Sequence, residues 1–345
     1  MSTALPTKSD YAEPSATTVV VWWPATVVVA FVAGAWLLAV NAPLGFSIAA
    51  VFLFAGPHNW MEARYMLRRM PARWGPLTPY FCLGIGGTLV LSAWQGMFPW
   101  LGRSRDWTQD DWGTSIALWN TTLVVWIVTL ALLRGTQNPR RDWRWLIPVG
   151  FALIGVNWLW PLGWSMALVY LHPLVALWFL DRELARARSP WLNGYRVCLT
   201  FLPLLLGALW MMLARSPNLP GEDILSLQIT QHAGEGILSG ISTHLLVATH
   251  TFLEMLHYGV WLLALPLVAG MARPWQWKSQ LAQTPLARRG LVWRLGVGAV
   301  LAIGVMVMIV LWAGFAADYP LTRNIYFTVA MLHVLAEVPF LLRVL

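Results

Sequence analysis

Three glutamates in this 345-residue chain each follow a histidine by four positions: His58-Asn-Trp-Met-Glu62, His250-Thr-Phe-Leu-Glu254 and His333-Val-Leu-Ala-Glu337. Four residues on an α-helix turn through about 400°, so each pair shares one helix face. All three pairs lie deep in strongly apolar stretches. A carboxylate in hydrocarbon is costly, persists only with a partner and is a mark of function. Imidazole is the commonest protein ligand for iron, copper and zinc, and its second nitrogen is normally held by a carboxylate. The three pairs therefore predict a polyhistidine metal site, supported by carboxylates, inside a bundle of apolar helices.

Two further histidines extend the constellation. His250-x-x-x-Glu254-x-x-His257 places three potential ligands along one helical stripe, because seven residues return to nearly the same face. His172 precedes Pro173 on another apolar stretch, where it is either a neighbour of the site or a group that satisfies carbonyls freed by the proline. The predicted ligands are His58, His250, His257 and His333, with His172 beside them. Glu62, Glu254 and Glu337 orient these ligands, complete the shell or act in catalysis. Iron is the preferred ion; copper, zinc, a haem held between residues such as His58 and His257, or two metals in one site are the alternatives. Interhelical hydrogen bonding and a proton relay are the readings that need no metal. His244 rotates away from the stripe, and His232 falls in a loop.

The elements that must position these groups are membrane spans. Hydrophobic residues make up 58% of the chain, charged residues only 11%, and mean hydropathy is +0.60. Such a composition belongs to all-α, polytopic transmembrane bundles. About ten apolar spans can be read, at 18–41, 44–66, 79–101, 113–134, 144–160, 162–181, 196–214, 242–270, 292–316 and 322–343. Each approaches or exceeds the roughly 20 residues needed to cross hydrocarbon. Residues 1–17 read as a polar tail without a cleavable signal peptide, and 18–345 as one transmembrane domain. The segment 216–241 reads as an outer-side loop or cap.

Basic residues alternate with the spans. One set of loops and both termini carry 19 Lys and Arg, the opposite loops only Arg103, Arg105, Arg215 and Arg323. The positive-inside rule then places both termini in the cytoplasm. The net charge of +8 thus reflects topology and anionic lipid headgroups, with no call for nucleic acid. Many of the 24 Trp fall at span ends and predict an aromatic belt. Cys82 and Cys198 both fall near cytoplasmic span ends, which argues against a structural disulfide.

The stretch Met331-Leu-His333-Val-Leu-Ala-Glu337-Val-Pro-Phe-Leu-Leu-Arg343 resembles the terminal His-apolar-acid-apolar-Arg segment of the Brp/Blh-type membrane β-carotene 15,15′-dioxygenases. Phe54-Ala-Gly-Pro-His58-Asn-Trp-Met-Glu62 is similar to an early motif of that family, and the paired histidines of the eighth span resemble its two-histidine helix. The acids here are Glu where the family has Asp, and the paired histidines are seven apart where it has four. The resemblance implies a single ferrous iron (Fe2+) held by histidines from several helices. It also implies an oxygenase whose lipophilic polyene substrate, such as a carotenoid, enters from the bilayer. An integral protein of a bacterial inner membrane is the corresponding location. Haem-binding electron transfer or gas handling, and a non-enzymatic subunit or transporter, remain as alternatives from the residues alone. No phosphate loop, nucleophile elbow or His-Glu-x-x-His motif is present.

Overall fold

The computed structural model describes residues 23–137, 142–268, 281 and 283–344. The 1–17 tail and the start of the first span lie outside the described residues. Among those described, the chain is all-helical. In order, the helices are α1 (Trp23–Asn41), α2 (Pro43–Arg69), α3 (Thr78–Ser104), α4 (Gln109–Gln137), α5 (Leu146–Leu159), α6 (Pro161–Arg186), α7 (Leu192–Thr200), α8 (Leu202–Leu213), α9 (Ile224–His232) and α10 (Thr243–Gly259). A π-helical turn (Val260–Ala264) carries α10 into α11 (Leu265–Val268), and α12 (Leu291–Ala317) and α13 (Tyr319–Val344) follow.

Among the described residues, six helical stretches are long and apolar enough to cross a membrane: Gly75–Ser104, Gln109–Gln137, Pro161–Arg186, Leu192–Leu213, Leu291–Ala317 and Tyr319–Arg343. The helices at Ala25–Asn41 and Leu146–Leu159 are apolar but shorter. Outside these stand α2 and α10, which carry His58, Glu62, His250, Glu254 and His257. Polar groups that point inward lower a helix's mean hydropathy without making it a surface helix. Indeed α10 is buried along nearly its whole length, from Thr243 to Gly259. Its Phe252, Leu253 and Leu256 pack with Ala39 of α1, Phe46 of α2 and Leu209 of α8.

Four helices enclose the centre. α10 packs on α2 and α6, and α13 packs on the same two. His58, His172, His257 and His333 lie 15, 11, 14 and 14 residues in from Pro43, Pro161, Thr243 and Tyr319, the first residues of their helices. Similar depth on four helices is what lets their side chains meet.

Each of the four helices carries an internal proline or a π-turn near its histidine or glutamate. Pro57 precedes His58, Pro173 follows His172, Pro339 follows Glu337, and the π-turn begins three residues after His257. An internal proline removes one backbone donor and frees the carbonyl four residues earlier. In α13 that carbonyl is Leu335 O, and the Thr88 hydroxyl of α3 lies 3.3 Å from it. The Tyr80 hydroxyl, also from α3, donates to Pro339 O.

The aromatic residues do more than line span ends. Trp119 and Trp126 of α4 donate to Leu91 O and Leu83 O of α3, each at 2.9 Å, and Trp312 of α12 donates to Phe52 O of α2 at 2.9 Å. Gly87 makes room for the Trp126 ring, since a Cβ there would meet the indole nitrogen at 2.0 Å. Asn120 of α4, Asn157 of α5 and Ser165 of α6 form a buried polar knot, with Asn120 Nδ2 to Asn157 Oδ1 at 2.9 Å. Interhelical amide pairs of this kind fix helix register inside a membrane. The two cysteines are free and exposed.

The 216–241 segment contains α9 and is thus more than a loop. Asp223 caps this helix by accepting from Ser226 N at 2.9 Å. Its Ile229 packs with Ala233, Leu246 and Val247, so the segment folds down onto α10.

Candidate metal centre

His58 of α2 is the anchor of the centre. The side chain is 1% exposed, and its Nδ1 lies 2.9 Å from Phe54 O. A carbonyl can only accept, so Nδ1 carries the proton and Nε2 keeps its lone pair for a ligand. This is the arrangement by which a backbone carbonyl fixes the tautomer of a metal-binding histidine. The His58 ring centroid lies 5.3 Å from that of His257 and 5.2 Å from that of His333. Nitrogen ligands at about 2.1 Å put each ring centroid about 3.2 Å from an ion, and tetrahedral neighbours about 5.2 Å apart. Two axial ligands of a haem would instead lie coaxially about 6.4 Å apart on the same bond lengths. The observed spacing suits one small ion.

Glu62, one turn below His58, completes a group of four whose ligand atoms all lie within 4.8 Å of one another: His58, Glu62, His257 and His333. A second group, His172, His257 and Glu337, meets the same limit and shares His257. The His172 ring centroid is 4.6 Å from that of His257, and its Nδ1 is 3.8 Å from Glu337 Oε2. The two acids also interact directly. Four imidazoles and two carboxylates thus converge from α2, α6, α10 and α13.

Several of these atoms have no hydrogen-bond partner: both ring nitrogens of His257, Nδ1 of His333, Oε2 of Glu62 and Oε1 of Glu337. An unpaired polar atom in an apolar interior costs several kcal/mol in hydrocarbon, and adjacent carboxylates repel unless a cation or a shared proton joins them. One divalent cation would satisfy nitrogen and oxygen together. Imidazole with carboxylate is a donor set that suits iron and zinc. The residues therefore fit a metal ion, and the shared His257 leaves room for either one ion or an adjacent pair.

His250 and Glu254 do not join the centre, which corrects the expectation that they would. Residues seven apart share a face, but they are separated by about 10.5 Å along the helix axis. One mononuclear site cannot take both His250 and His257. His250 instead packs against Tyr170 of α6, with ring centroids 5.8 Å apart, and against His232 at 4.9 Å. His232 ends α9 and so is not a loop residue. Glu254 accepts from the Tyr258 hydroxyl at 2.6 Å. His244 contacts Val40 O at 3.2 Å, apart from the centre as expected.

His172 moves the other way, from a neighbour to a member of the second group. Tyr258, which the histidine and glutamate spacing does not single out, places its ring 4.4 Å from that of His58 and donates to Glu254. The signal in the sequence was its place directly after His257. No protein-family model, curated protein or solved structure matches this chain.

Proposed function

We propose that this protein is an integral-membrane, non-haem iron oxygenase acting on a lipophilic polyene or related isoprenoid, such as a carotenoid. The observation that carries the reading is the convergence of His58, His172, His257, His333, Glu62 and Glu337 from four apolar helices. The resemblance of the His58–Glu62 and His333–Arg343 segments to membrane carotene dioxygenases supplies the substrate class. In the proposed topology about ten spans cross a bacterial inner membrane, both termini face the cytoplasm, and the substrate arrives from the lipid.

Ferrous iron held by these residues would supply the activation of dioxygen. The protein's part is to hold and to shield. His58 presents Nε2 because Phe54 O engages Nδ1. Glu62 and Glu337 bring negative charge that offsets that of the cation. The phenyl and aliphatic groups of α10 and α2 keep water from the centre, as a reactive intermediate requires. Production in carotene-accumulating cells, followed by pigment chromatography, tests the reading. Carotene should fall and a more polar cleavage product appear, while His333→Ala leaves carotene intact. Unchanged pigment together with an iron-free purified protein would sink it.

A second reading is favoured by one observation, the direct interaction of Glu62 with Glu337. Two carboxyls sharing a proton beside a histidine cluster suit a proton relay in a transporter or electron-transfer subunit. That reading calls for no stoichiometric metal, so elemental analysis separates the two.

A further inference from the structure

The C-terminal turns of α2, α6 and α13 meet around a pocket of about 320 Å³, lined by Tyr65, Arg68, Arg69, Arg186, Phe340 and Arg343. Four guanidinium groups from three helices face this space, and one carboxylate serves two of them. Glu183 is 4% exposed and bonds both Arg69 and Arg186, the latter at 2.5 Å. Arg343 donates to Arg69 O at 3.0 Å, which holds α13 against α2 at this end. Tyr65, 2% exposed, lines the pocket beside Arg69 and Glu183. Phe340 supplies an apolar wall.

Basic residues at helix ends are ordinary determinants of membrane orientation. Convergence is not, because guanidinium groups repel one another unless an anion joins them. Planar, multidentate donors match the oxygens of a phosphate group, and three helix C-termini add negative dipole ends that help to hold the arginines in place. We propose that this pocket binds a phosphate-bearing anion, with the phosphate among Arg68, Arg69, Arg186 and Arg343 and the Tyr65 hydroxyl as an additional donor. The group can come from the headgroup of an anionic phospholipid or from free phosphate. The proposal is independent of the metal centre.

The test is native mass spectrometry of the delipidated full-length protein, titrated separately with phosphatidylglycerol, phosphatidylcholine and inorganic phosphate. A charge-assisted hydrogen bond contributes about 1.5–3 kcal/mol, so the double variant Arg186→Gln/Arg343→Gln should weaken binding by about tenfold or more. Arg103→Gln, remote from the pocket, should not. Phosphatidylglycerol bound in preference to phosphatidylcholine, with this dependence and no displacement by phosphate, identifies a lipid site. Inorganic phosphate bound with the same dependence identifies a free-anion site. Because unfolding of the double variant would also abolish binding, the wild type carries a second arm: phosphatidylglycerol or phosphate should raise its thermal midpoint above that seen with phosphatidylcholine. Equal binding of all lipids, binding indifferent to the arginines, or no stabilisation by either anion would overturn the proposal.

Discussion

His257 belongs to both ligand groups, so its removal should empty the whole centre, whereas His250 lies about two turns, roughly 10.5 Å, away along the same helix and should be dispensable for metal. The expected outcome is loss of bound metal in His257→Ala and near-wild-type metal in His250→Ala, read by elemental analysis of the purified variants. Equal loss in both would mean that the two histidines act as one site. At this scale much of the centre was legible in the sequence. The type and spacing of His58, Glu62, His257, His333 and Glu337 pointed to side chains that the fold does bring together, because a buried carboxylate persists in hydrocarbon only with a partner. The inclusion of His250 failed for a simple reason. Helical periodicity reports the face a residue occupies, and axial distance decides whether two residues on that face can reach one ion. Both quantities were available, and only the first points to a site.

The elements carry the centre with a repeated feature, an irregularity of the helix near the ligands. Pro57, Pro173 and Pro339 each remove a backbone donor, a π-turn stands at Val260–Ala264, and side chains from α3 meet the carbonyls of Leu335 and Pro339 in α13. Close packing of α3 on α4 supports that arrangement. Gly87→Leu would drive a side chain into the Trp126 ring and break its bond to Leu83 O, at a cost of about 1–3 kcal/mol for overpacking. A lower thermal midpoint in detergent checks it; an unchanged midpoint would show that α3 and α4 can separate without penalty. The prolines were visible in the sequence, but the π-turn was not, since it has no residue signature; Val260, Trp261 and Ala264 of that turn are buried in the core. The α9 helix had a legible start, Asp223 ahead of an apolar run, yet the Gly- and Pro-rich flanks around it read as a loop. Its final residue, His232, therefore went unnoticed as the partner of His250.

For the whole molecule, the apolar class and the helical architecture followed from composition and the length of the apolar runs, and among the described residues six helices carry the length and hydropathy to span a membrane. The arginines of α2, α6 and α13 line one pocket, so the C-terminal ends of these three helices lie together. Reporter fusions extend this to the membrane. A fluorescent protein fused after Leu345 should fluoresce, and alkaline phosphatase inserted after Ser104 should be active, if positive charge marks the cytoplasmic side. The reverse pattern would invert the topology. The account rests finally on the metal. Elemental analysis of the detergent-purified wild-type protein tests it most directly: the convergence of four histidines and two glutamates predicts iron at one or more equivalents per chain. Preparations holding no iron, copper or zinc near that level would contradict a metal centre and leave a proton relay in its place.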